Sequence, residues 1–386
     1  MVSVFIATLL MRQDFDPADA WKTVSGRIKQ LYWAKKSEPE KLERLLREAE
    51  PSALAAKTAE EFNTAMDTMI AKFGDSHFDF MTREDQGYFL FDALLKGDKG
   101  AKFPSIGAWF KKTPDGYTVK MVLNGGDAEK AGLRKGDIVT EINDQPFTPV
   151  GSLWSNIGKT ADIRFRRGKD VLASKVEVRE TSGESFFLEP TRRSGTILER
   201  NGKKIAYFKL WTMSNEKFRT ALENFVYGKA KDTDAFILDV RDGFGGRPEG
   251  FGDPFFRPEA ELEWTFGGAG TTKQLFGYQR PLIVIINEGS RSAKEVFSYL
   301  MKKSKRAILV GSRTAGDVLG TSPNPVGDWA FLEIPMVDVK IDGQRLEHNP
   351  VVADIQVPVE IDSNGKDLFL ESALKEAVNQ IGKSQR

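Results

Sequence analysis

Apolar residues recur at helical spacing in the first part of the chain, from about residue 17 to residue 73. Asp16–Pro17 is typical of a helix start, with the aspartate as the cap and the proline in the first turn. Gly74 ends the last helix and leaves Asp75-Ser76-His77 on a loop. The pattern therefore predicts a small helical region whose end displays a potentially reactive pair, Ser76 and His77.

Short β-like runs replace the helical pattern from about Phe103 to Val178. Two of them, residues 117–123 and 137–142, flank a glycine-rich run over residues 125–137. Within this run a short helix is expected to end at Gly132, before a turn into the next strand. A plain β-rich domain with one helix is the simplest interpretation of this region.

Strands alternate with helices from about Ser194 to the C-terminus, which predicts a largely parallel sheet covered on both faces. Sites in such sheets lie at the carboxyl ends of the strands. The strands are predicted at 204–210, 235–240, 282–286 and 307–310, and the helices at 215–227 and 293–302.

Length and composition describe an ordinary globular protein of more than one domain. A net charge of +1 gives no electrostatic reason to expect nucleic acid or an anionic membrane as a partner. The absence of cysteine excludes disulfides, thiolate metal sites and a cysteine nucleophile. No run approaches the ~20 apolar residues of a membrane span. The short apolar stretch Val2–Leu10 is either the remnant of a signal peptide or an N-terminal strand, disordered or packed. We expect no metal and no cofactor, and the oligomeric state stays open.

The chain contains only two histidines, His77 and His348. Histidine titrates near neutral pH and is the commonest general base. If the protein is a hydrolase with a side-chain nucleophile, these two residues are its only imidazole candidates. His348 follows a carboxylate, Glu347, that could belong to the same site.

Ser292 follows a buried strand and a tight polar turn, at the predicted N-terminus of a helix. Free N–H groups and the helix dipole favour developing negative charge at such a position, which suits a nucleophile. A structural alternative stays open, because Ser292 and Glu295 also fit a capping box.

Two further segments have both a chemical and a structural interpretation. The strand before Asp239 runs into a glycine loop, where backbone N–H groups of Gly245 and Gly246 can approach a reacting carbonyl, although a plain turn is the simpler reading. Glu347 on its own is typical of a solvated side chain, and Pro350 and Asp354 of turn residues.

The glycine-rich run of residues 125–137 resembles that of the PDZ domain. This resemblance implies that Ser105, Ile106, Gly107 and Ala108 form a carboxylate-binding loop, with the edge strand beginning there. In that arrangement backbone N–H groups capture a chain-terminal carboxylate, and the bound peptide adds a strand to the sheet edge.

Taken together, these segments resemble the C-terminal-processing (tail-specific) serine peptidase family over nearly the whole chain. The resemblance implies an α+β multidomain fold with a helical N-terminal region (1–100), a PDZ β-domain (101–182) and an α/β core of the Clp-protease/crotonase type (183–386). It rests on Asp239-x-Arg241-x-x-x-Gly245-Gly246, Ser290-x-Ser292-Ala293-x-Glu295, Gly311–Gly316, Asp75-Ser76-His77 and Glu347.

Two catalytic designs exist in that family. One branch uses a Ser–Lys dyad, but Asp317 stands where its lysine belongs, and a carboxylate cannot replace that base. The other branch, similar to the tricorn protease core, uses a Ser–His–Ser–Glu tetrad. The resemblance implies Ser292 as nucleophile, His77 as general base, and Ser76 and Glu347 as the residues that orient it. It also implies an oxyanion hole from the N–H groups of Ala293 and of Gly245 or Gly246.

This resemblance implies an endopeptidase acting on unfolded or C-terminally exposed polypeptides, with the PDZ domain recruiting the tail or gating the site. Bacterial members of this family lie mostly outside the cytoplasm. The resemblance therefore implies an extracytoplasmic location, with a cytoplasmic one as the alternative. The chain departs from the family at Gly243, where asparagine is common, and at Pro350–Asp354, which leaves specificity open. A non-catalytic ligand- or peptide-binding protein on the same scaffold is the main alternative, and an acyl-CoA enzyme of the crotonase type is a weaker one.

Overall fold

The computed structural model describes residues 15–256, 262–266, 270–274 and 277–384. These residues divide into two compact units. The first contains residues 15–91 and 319–338, and the second contains residues 92–318 and 339–384. The apolar stretch Val2–Leu10 lies outside the described residues.

Three helices form most of the first unit, as the apolar spacing predicts: Pro17–Leu31, Pro39–Ala55 and Ala59–Ala71. The Asp16 carboxylate caps the first helix by accepting from the N–H groups of Ala18 and Asp19. The apolar faces of the helices share one core with an antiparallel sheet in the order Asp79–Thr82, Ala330–Val337, Gly320–Val326.

The hairpin Gly320–Val326 and Ala330–Val337 is not among the elements that the sequence predicts. Pro323 and Pro325 interrupt its first strand, and proline is confined to edge strands because it cannot donate to a ladder. That strand is indeed the edge of the sheet. Although the hairpin follows residue 318 in sequence, it belongs to the compact unit of the N-terminal helices.

A β-domain with its own apolar core lies within the second unit. Among the residues that the structure describes, the order of its sheet begins with the strand Ala108–Thr113. The next strands in order are Gly116–Val122, Ile138–Ile142, Thr160–Arg167 and Asp170–Glu177, with Gln145–Pro146 paired to Ile138–Ile142. The short helix Asp127–Lys130 and the 3-10 helix Gly151–Asn156 complete it, and Lys102–Ser105 pairs with Arg179–Ser182.

A six-stranded sheet forms the centre of the second unit, and all its pairings are parallel except the first. Two of its strands are completely buried, as their continuous apolar runs predict. The order is Thr196–Arg200, Lys203–Lys209, Ala235–Asp239, Leu282–Ile286, Ile308–Gly311 and Ile355–Gln356. The accompanying helices are Gly183–Ser194, Glu216–Tyr227, Ala293–Lys303 and Leu368–Ser384.

The parallel register brings the ends of three neighbouring strands to one edge of this sheet. The loops that follow Asp239, Ile286 and Gly311 therefore leave the sheet side by side. The remaining elements are the helix Gln86–Lys96, the 3-10 helices Gly97–Lys99 and Asp253–Phe255, and the paired strands Leu262–Phe266 with Gly270–Gln274 and Lys340–Ile341 with Gln344–Arg345. Among the described residues, no helix is long and apolar enough to cross a membrane.

Candidate active site

Ser292 is the N-cap of the helix Ala293–Lys303. Its backbone has φ 59° and ψ −126°, a region that residues other than glycine rarely adopt. Such a conformation costs on the order of 1–3 kcal/mol and persists only where the surroundings enforce it. Part of that enforcement is visible, because the N–H of Ser292 donates to the carbonyl of Asp317 at 2.8 Å.

The capping box, which is the structural alternative for Ser292, is also present. Ser292 and Glu295 have the arrangement of a capping box, and the Glu295 carboxylate lies 3.3 Å from the N–H of Ser292. The same carboxylate accepts from Thr314 Oγ1 at 2.5 Å and from the N–H groups of Gly316 and Asp317 at 2.7 and 2.8 Å. Burial raises the pKa of Glu295, and these hydrogen bonds oppose the rise. Glu295 therefore ties a second loop to the start of the helix, and capping does not exclude a chemical role for Ser292.

Three N–H groups near Ser292 are available to an outside acceptor. Within the part of the chain that the structure describes, those of Ala293, Gly245 and Gly246 donate to no protein acceptor. A Cβ added to Gly245 would come within 2.7 Å of Ser292 Oγ and 2.8 Å of the Ala293 nitrogen, so only glycine fits. Backbone N–H donors close to an attacking oxygen are what an oxyanion hole needs.

The carbonyl of Gly245 fixes the direction of the next N–H group. It accepts from the N–H of Met213 at 2.8 Å and from Thr212 Oγ1 at 2.9 Å. Because a trans peptide points its N–H opposite to its C=O, the N–H of Gly246 points away from these two donors.

Ser290 has a different environment from Ser292. It is completely buried, and its hydroxyl donates to the carbonyl of Val240 at 2.9 Å while accepting from the N–H of Asn287 at 3.1 Å. The hydroxyl proton is thus committed to a structural hydrogen bond. The role of Ser290 in the motif is to hold the turn before Ser292.

Ser76 and His77 lie on the loop that follows the third helix of the first unit. Ser76 Oγ is 2.9 Å from His77 Nδ1, and the imidazole is buried. His77 itself has a positive φ of 55°, and Gly74 has one of 73°. In the tautomer in which Nδ1–H donates to Ser76, Nε2 is the unprotonated ring nitrogen, which is the form that a general base needs.

Asp75 anchors this loop, a role that the sequence reasoning missed. Its carboxylate accepts from the hydroxyl of Tyr32 at 2.5 Å and from Trp33 Nε1 at 3.3 Å. Burial and the Asp75 carboxylate raise the pKa of Tyr32, so the phenol stays a donor. The Tyr32 ring also packs on the rings of Phe73 and Phe78, which flank the loop. The available signal in the sequence is the adjacent pair Tyr32-Trp33, whose aromatic rings both carry hydrogen-bond donors.

Glu347 is buried rather than solvated, with 1% of its surface exposed. Its carboxylate accepts from the N–H of Val318 at 2.6 Å. The ring of the neighbouring His348 is exposed, and its Nε2 is 3.9 Å from Glu347 Oε1. Of the two histidines, His77 is therefore the enclosed one and His348 the solvated one.

A dense ion network supports the glycine loop. Arg241 bonds to Asp239, Asp367 and Glu360. Burial alone would raise the pKa of Asp239, but Arg241 and Lys209 outweigh it and hold that pKa well below the ordinary value. The network locks the end of the strand that precedes Gly243.

The β-domain joins this network through Asp242. Lys135 Nζ lies 2.7 Å from Asp242 Oδ1 and 3.5 Å from Glu360 Oε2. The N–H of Gly243 lies 3.0 Å from Met121 Sδ, and the rings of Trp109 and Phe244 meet edge to face at 4.9 Å. The β-domain therefore contacts the first three residues of the loop, Asp242 to Phe244, which the sequence does not reveal.

The predicted carboxylate-binding loop, Ser105–Ala108, precedes the edge strand of the β-domain. Gly107 has φ 79°, and its N–H donates to Ser105 Oγ at 2.9 Å. The carbonyls of Ile106 and Gly107 accept from the N–H groups of Ala128 and Leu123 at 2.7 and 3.0 Å. The loop is thus fixed from both sides at the start of the strand Ala108–Thr113.

Of the four predicted catalytic residues, Ser76 and His77 belong to the first unit and Ser292 and Glu347 to the second. The structure brings Ser292 together with Ala293 and Gly245, and Ser76 together with His77. Among the described residues, no group of three or more histidine, aspartate or glutamate side chains has the arrangement of a metal site.

Two family models match the sequence. That of "Peptidase family S41" matches residues 204–357, and that of the "PDZ domain" matches residues 104–178. The first range contains Ser292 and Glu347 and the second contains Ser105–Ala108, whereas Ser76 and His77 lie outside both.

The chain is similar to C-terminal-processing peptidases over most of its length. It is 25% identical over 282 residues to "Carboxyl-terminal-processing peptidase 2, chloroplastic" of Arabidopsis thaliana, covering 67% of this chain and 53% of that protein. It is also 25% identical over 295 residues to the "Carboxyl-terminal-processing protease" of Synechocystis sp., covering 72% of this chain and 66% of the relative. The chain therefore spans between half and two thirds of the length of these relatives.

Two solved structures share the fold. The photosystem II D1 C-terminal processing protease superposes with a TM-score of 0.54 at 17% identity, covering 92% of this chain and 96% of its own. The tricorn protease superposes with a TM-score of 0.55 at 19% identity, covering 95% of this chain and 36% of its own. The predicted mixed architecture, with a helical N-terminal region, a PDZ domain and an α/β core, is confirmed.

Proposed function

We propose that this chain is a serine endopeptidase, because residues 204–357 match the model of peptidase family S41 and residues 104–178 match that of the PDZ domain. Its substrates are unfolded or C-terminally exposed polypeptides. The observation that carries the proposal is the setting of Ser292, a strained helix N-cap beside N–H groups that donate to no acceptor among the described residues.

Each catalytic role follows from the local setting of its residue. Ser292 attacks the scissile carbonyl, and the N–H groups of Ala293 and of Gly245 or Gly246 stabilise the oxyanion. His77 is the general base that takes the proton of Ser292. Its Nδ1 lies 2.9 Å from Ser76 Oγ, which supports Ser76 as a residue that orients the imidazole. We assign Glu347 to the same role from the resemblance alone.

The PDZ domain binds the substrate tail in this proposal. The match of residues 104–178 to the PDZ domain and the fixed loop Ser105–Ala108 support it, because PDZ domains capture a chain-terminal carboxylate with backbone N–H groups. We retain 1–100, 101–182 and 183–386 as the proposed domains. An extracytoplasmic location is likewise a proposal, supported by relatives among bacterial and chloroplastic processing proteases.

A fluorophosphonate probe tests the function most directly. We expect the wild-type protein to be labelled at Ser292, located by mass spectrometry, and to degrade casein. Ser292→Ala should abolish labelling and casein cleavage without loss of the fold. Ser290→Ala is the matched control: it removes a hydroxyl that holds the same turn, so labelling should be slower but should still be located at Ser292.

The outcomes separate the candidate functions. Labelling that disappears in Ser290→Ala but persists in Ser292→Ala would move the nucleophile to Ser290. If neither labelling nor cleavage occurs in the wild-type protein, the alternative of a non-catalytic ligand- or peptide-binding protein takes the place of the peptidase. A loss of capping alone would appear as a loss of stability of about 0.5–2 kcal/mol at unchanged labelling.

A further inference from the structure

Lys294 is a fully buried lysine directly behind the proposed nucleophile. It occupies the second position of the helix Ala293–Lys303, and none of its surface is exposed. Lysine is almost never fully buried unless it is paired, and a cation is disfavoured at a helix N-terminus. Among the described residues, no carboxylate lies within ion-pair distance of its Nζ. Such a costly placement calls for a function.

The Lys294 amine connects two backbone segments that flank the glycine loop. Its Nζ donates to the carbonyl of Trp211 at 2.9 Å and to the carbonyl of Asp242 at 2.5 Å. The Trp211 carbonyl also accepts from the N–H of Phe244 at 3.0 Å. The Lys294 side chain therefore holds Asp242, the first residue of the loop, next to Trp211, which also bonds to the loop residue Phe244.

The loop is tightly packed at Gly243, where there is no space for a side chain. A Cβ added to Gly243 would come within 1.9 Å of the Trp211 carbonyl oxygen and 3.1 Å of Lys294 Nζ. Beyond Gly243 the loop reaches Gly245, whose Cα faces Ser292 and the Ala293 nitrogen. A displacement at Asp242 is therefore passed on to the N–H groups beside Ser292.

We propose that Lys294 is a positioning residue that fixes the loop Asp242–Gly246, so that its N–H groups are aligned for the oxyanion formed on attack by Ser292. The inference rests on the proposed function, since it takes Ser292 to be the nucleophile. It adds a residue that neither the capping box nor the tetrad contains.

The amine suits this role in either protonation state. Burial and the nearby charge of Lys209 lower the pKa of Lys294 to about 7, against the opposing effect of Asp242 and Asp239. A neutral amine keeps two N–H donors, which equals the number of carbonyls it contacts. Because both contacts lie on the loop side, the amine is not placed as the base for Ser292.

The test separates positioning from folding by restoring the amine chemically. Lys294→Met keeps the length of the side chain and removes its donors. The chain has no cysteine, so Lys294→Cys can be alkylated at that residue alone, in denaturant before refolding. Bromoethylamine gives a thialysine that regains the amine, and iodopropane gives the same shape without it. Ser298→Ala is the control on the same helix, where a buried hydroxyl donates to the Lys294 carbonyl at 2.7 Å.

Each protein is assayed for the limiting inactivation rate and the half-saturating concentration of a fluorophosphonate. We expect Lys294→Met and the propyl derivative to lose about 100-fold in the rate at unchanged half-saturation, as a small misplacement of catalytic groups causes. The thialysine derivative and Ser298→Ala should retain most of the wild-type rate.

Several results would overturn the proposal. A wild-type rate in Lys294→Met would do so, as would equal rates for the two alkylated proteins. A change only in half-saturation would assign Lys294 to binding instead. If the wild-type protein is not labelled at Ser292, the proposed function fails and this inference fails with it, whereas normal wild-type labelling with an unaffected Lys294→Met removes only the inference.

Discussion

The hydroxyl of Tyr32 donates a 2.5 Å hydrogen bond to the carboxylate of Asp75, the residue immediately before Ser76 and His77. The relationship joins the end of the first helix to the loop that follows the third. Trp33 adds a second donor to the same carboxylate. The loop thus has a fixed point next to the proposed base, which lets a helix far away in sequence control where the imidazole lies.

Removal of that donor should loosen the His77 loop. We expect Tyr32→Phe to lower kcat about 10-fold with KM little changed, because it affects the alignment of the base rather than substrate contacts. Tyr88→Phe is the control, since the Tyr88 hydroxyl donates to the Asp328 carbonyl at 2.6 Å in the same unit. Equal losses in the two variants would show a general effect on the unit rather than a specific one.

Nuclear magnetic resonance gives a direct readout for the same variant. With His348→Gln as background, the ring nitrogens of His77 are the only imidazole signals in the chain. Tyr32→Phe should broaden or shift them, and Tyr88→Phe should leave them in place. Unchanged signals in Tyr32→Phe would mean that Asp75 does not position the imidazole.

Lys135 of the PDZ domain and Asp242 of the glycine loop form an ion pair whose loss should be measurable. Burial would raise the pKa of Asp242, but Lys209 and Lys135 outweigh it and lower that pKa. Because the lysine is 43% exposed, we expect Lys135→Met to lower the melting temperature by only about 2–4 °C. Lys175→Met, which breaks the fully exposed pair with Asp162, should change it less.

The same pair has a defined pH dependence. A carboxyl whose pKa is lower in the folded state stabilises above its unfolded value of 3.8, and that contribution is lost as the pH falls. The difference in melting temperature between wild type and Lys135→Met should therefore shrink as the solution is acidified below about pH 4. A difference that stays constant down to pH 3 would show that the lysine acts through packing alone.

The buried amine of Lys294 predicts a pH dependence of the same sign, but at higher pH. Its pKa is about 7 in the folded protein against an ordinary value of 10.5, so between these values the unfolded chain binds more protons. Stability should therefore rise with pH across that interval in the wild-type protein. Urea unfolding of wild type and Lys294→Met from pH 7 to pH 9 should show this rise only in the wild type. Parallel curves would mean that Lys294 titrates normally.

Periodicity predicted much of the fold, because it reports burial directly. The strands Ala235–Asp239 and Leu282–Ile286 are continuous apolar runs and are fully buried. The position of Ser292 after the second of them followed from the same pattern. The hairpin Gly320–Val337 could not be predicted in this way, because its prolines hide the strand pattern and its partner strand, Asp79–Thr82, lies far away in sequence.

The parts of the site that sequence reasoning missed depend on tertiary contacts. Lysine is normally solvated, so nothing in the pattern around Lys294 indicates that its amine is enclosed by two carbonyls. The contact of Lys135 with Asp242 joins residues 107 positions apart. Glu347 is a similar case, because a lone glutamate is normally solvated but the structure buries this side chain.

The two histidines allow the general base to be identified by the same substitution at both positions. If His77 is the base, activity should rise with pH through one ionisation between about pH 6 and pH 8. His77→Gln should remove this limb and nearly all of the rate, because the imidazole that accepts the Ser292 proton is lost. His348→Gln should keep the limb, since that ring is exposed. The measurement is kcat/KM on a fluorogenic casein from pH 5 to pH 10. A rate that still climbs above pH 9 would point to a lysine base and contradict the assignment of His77.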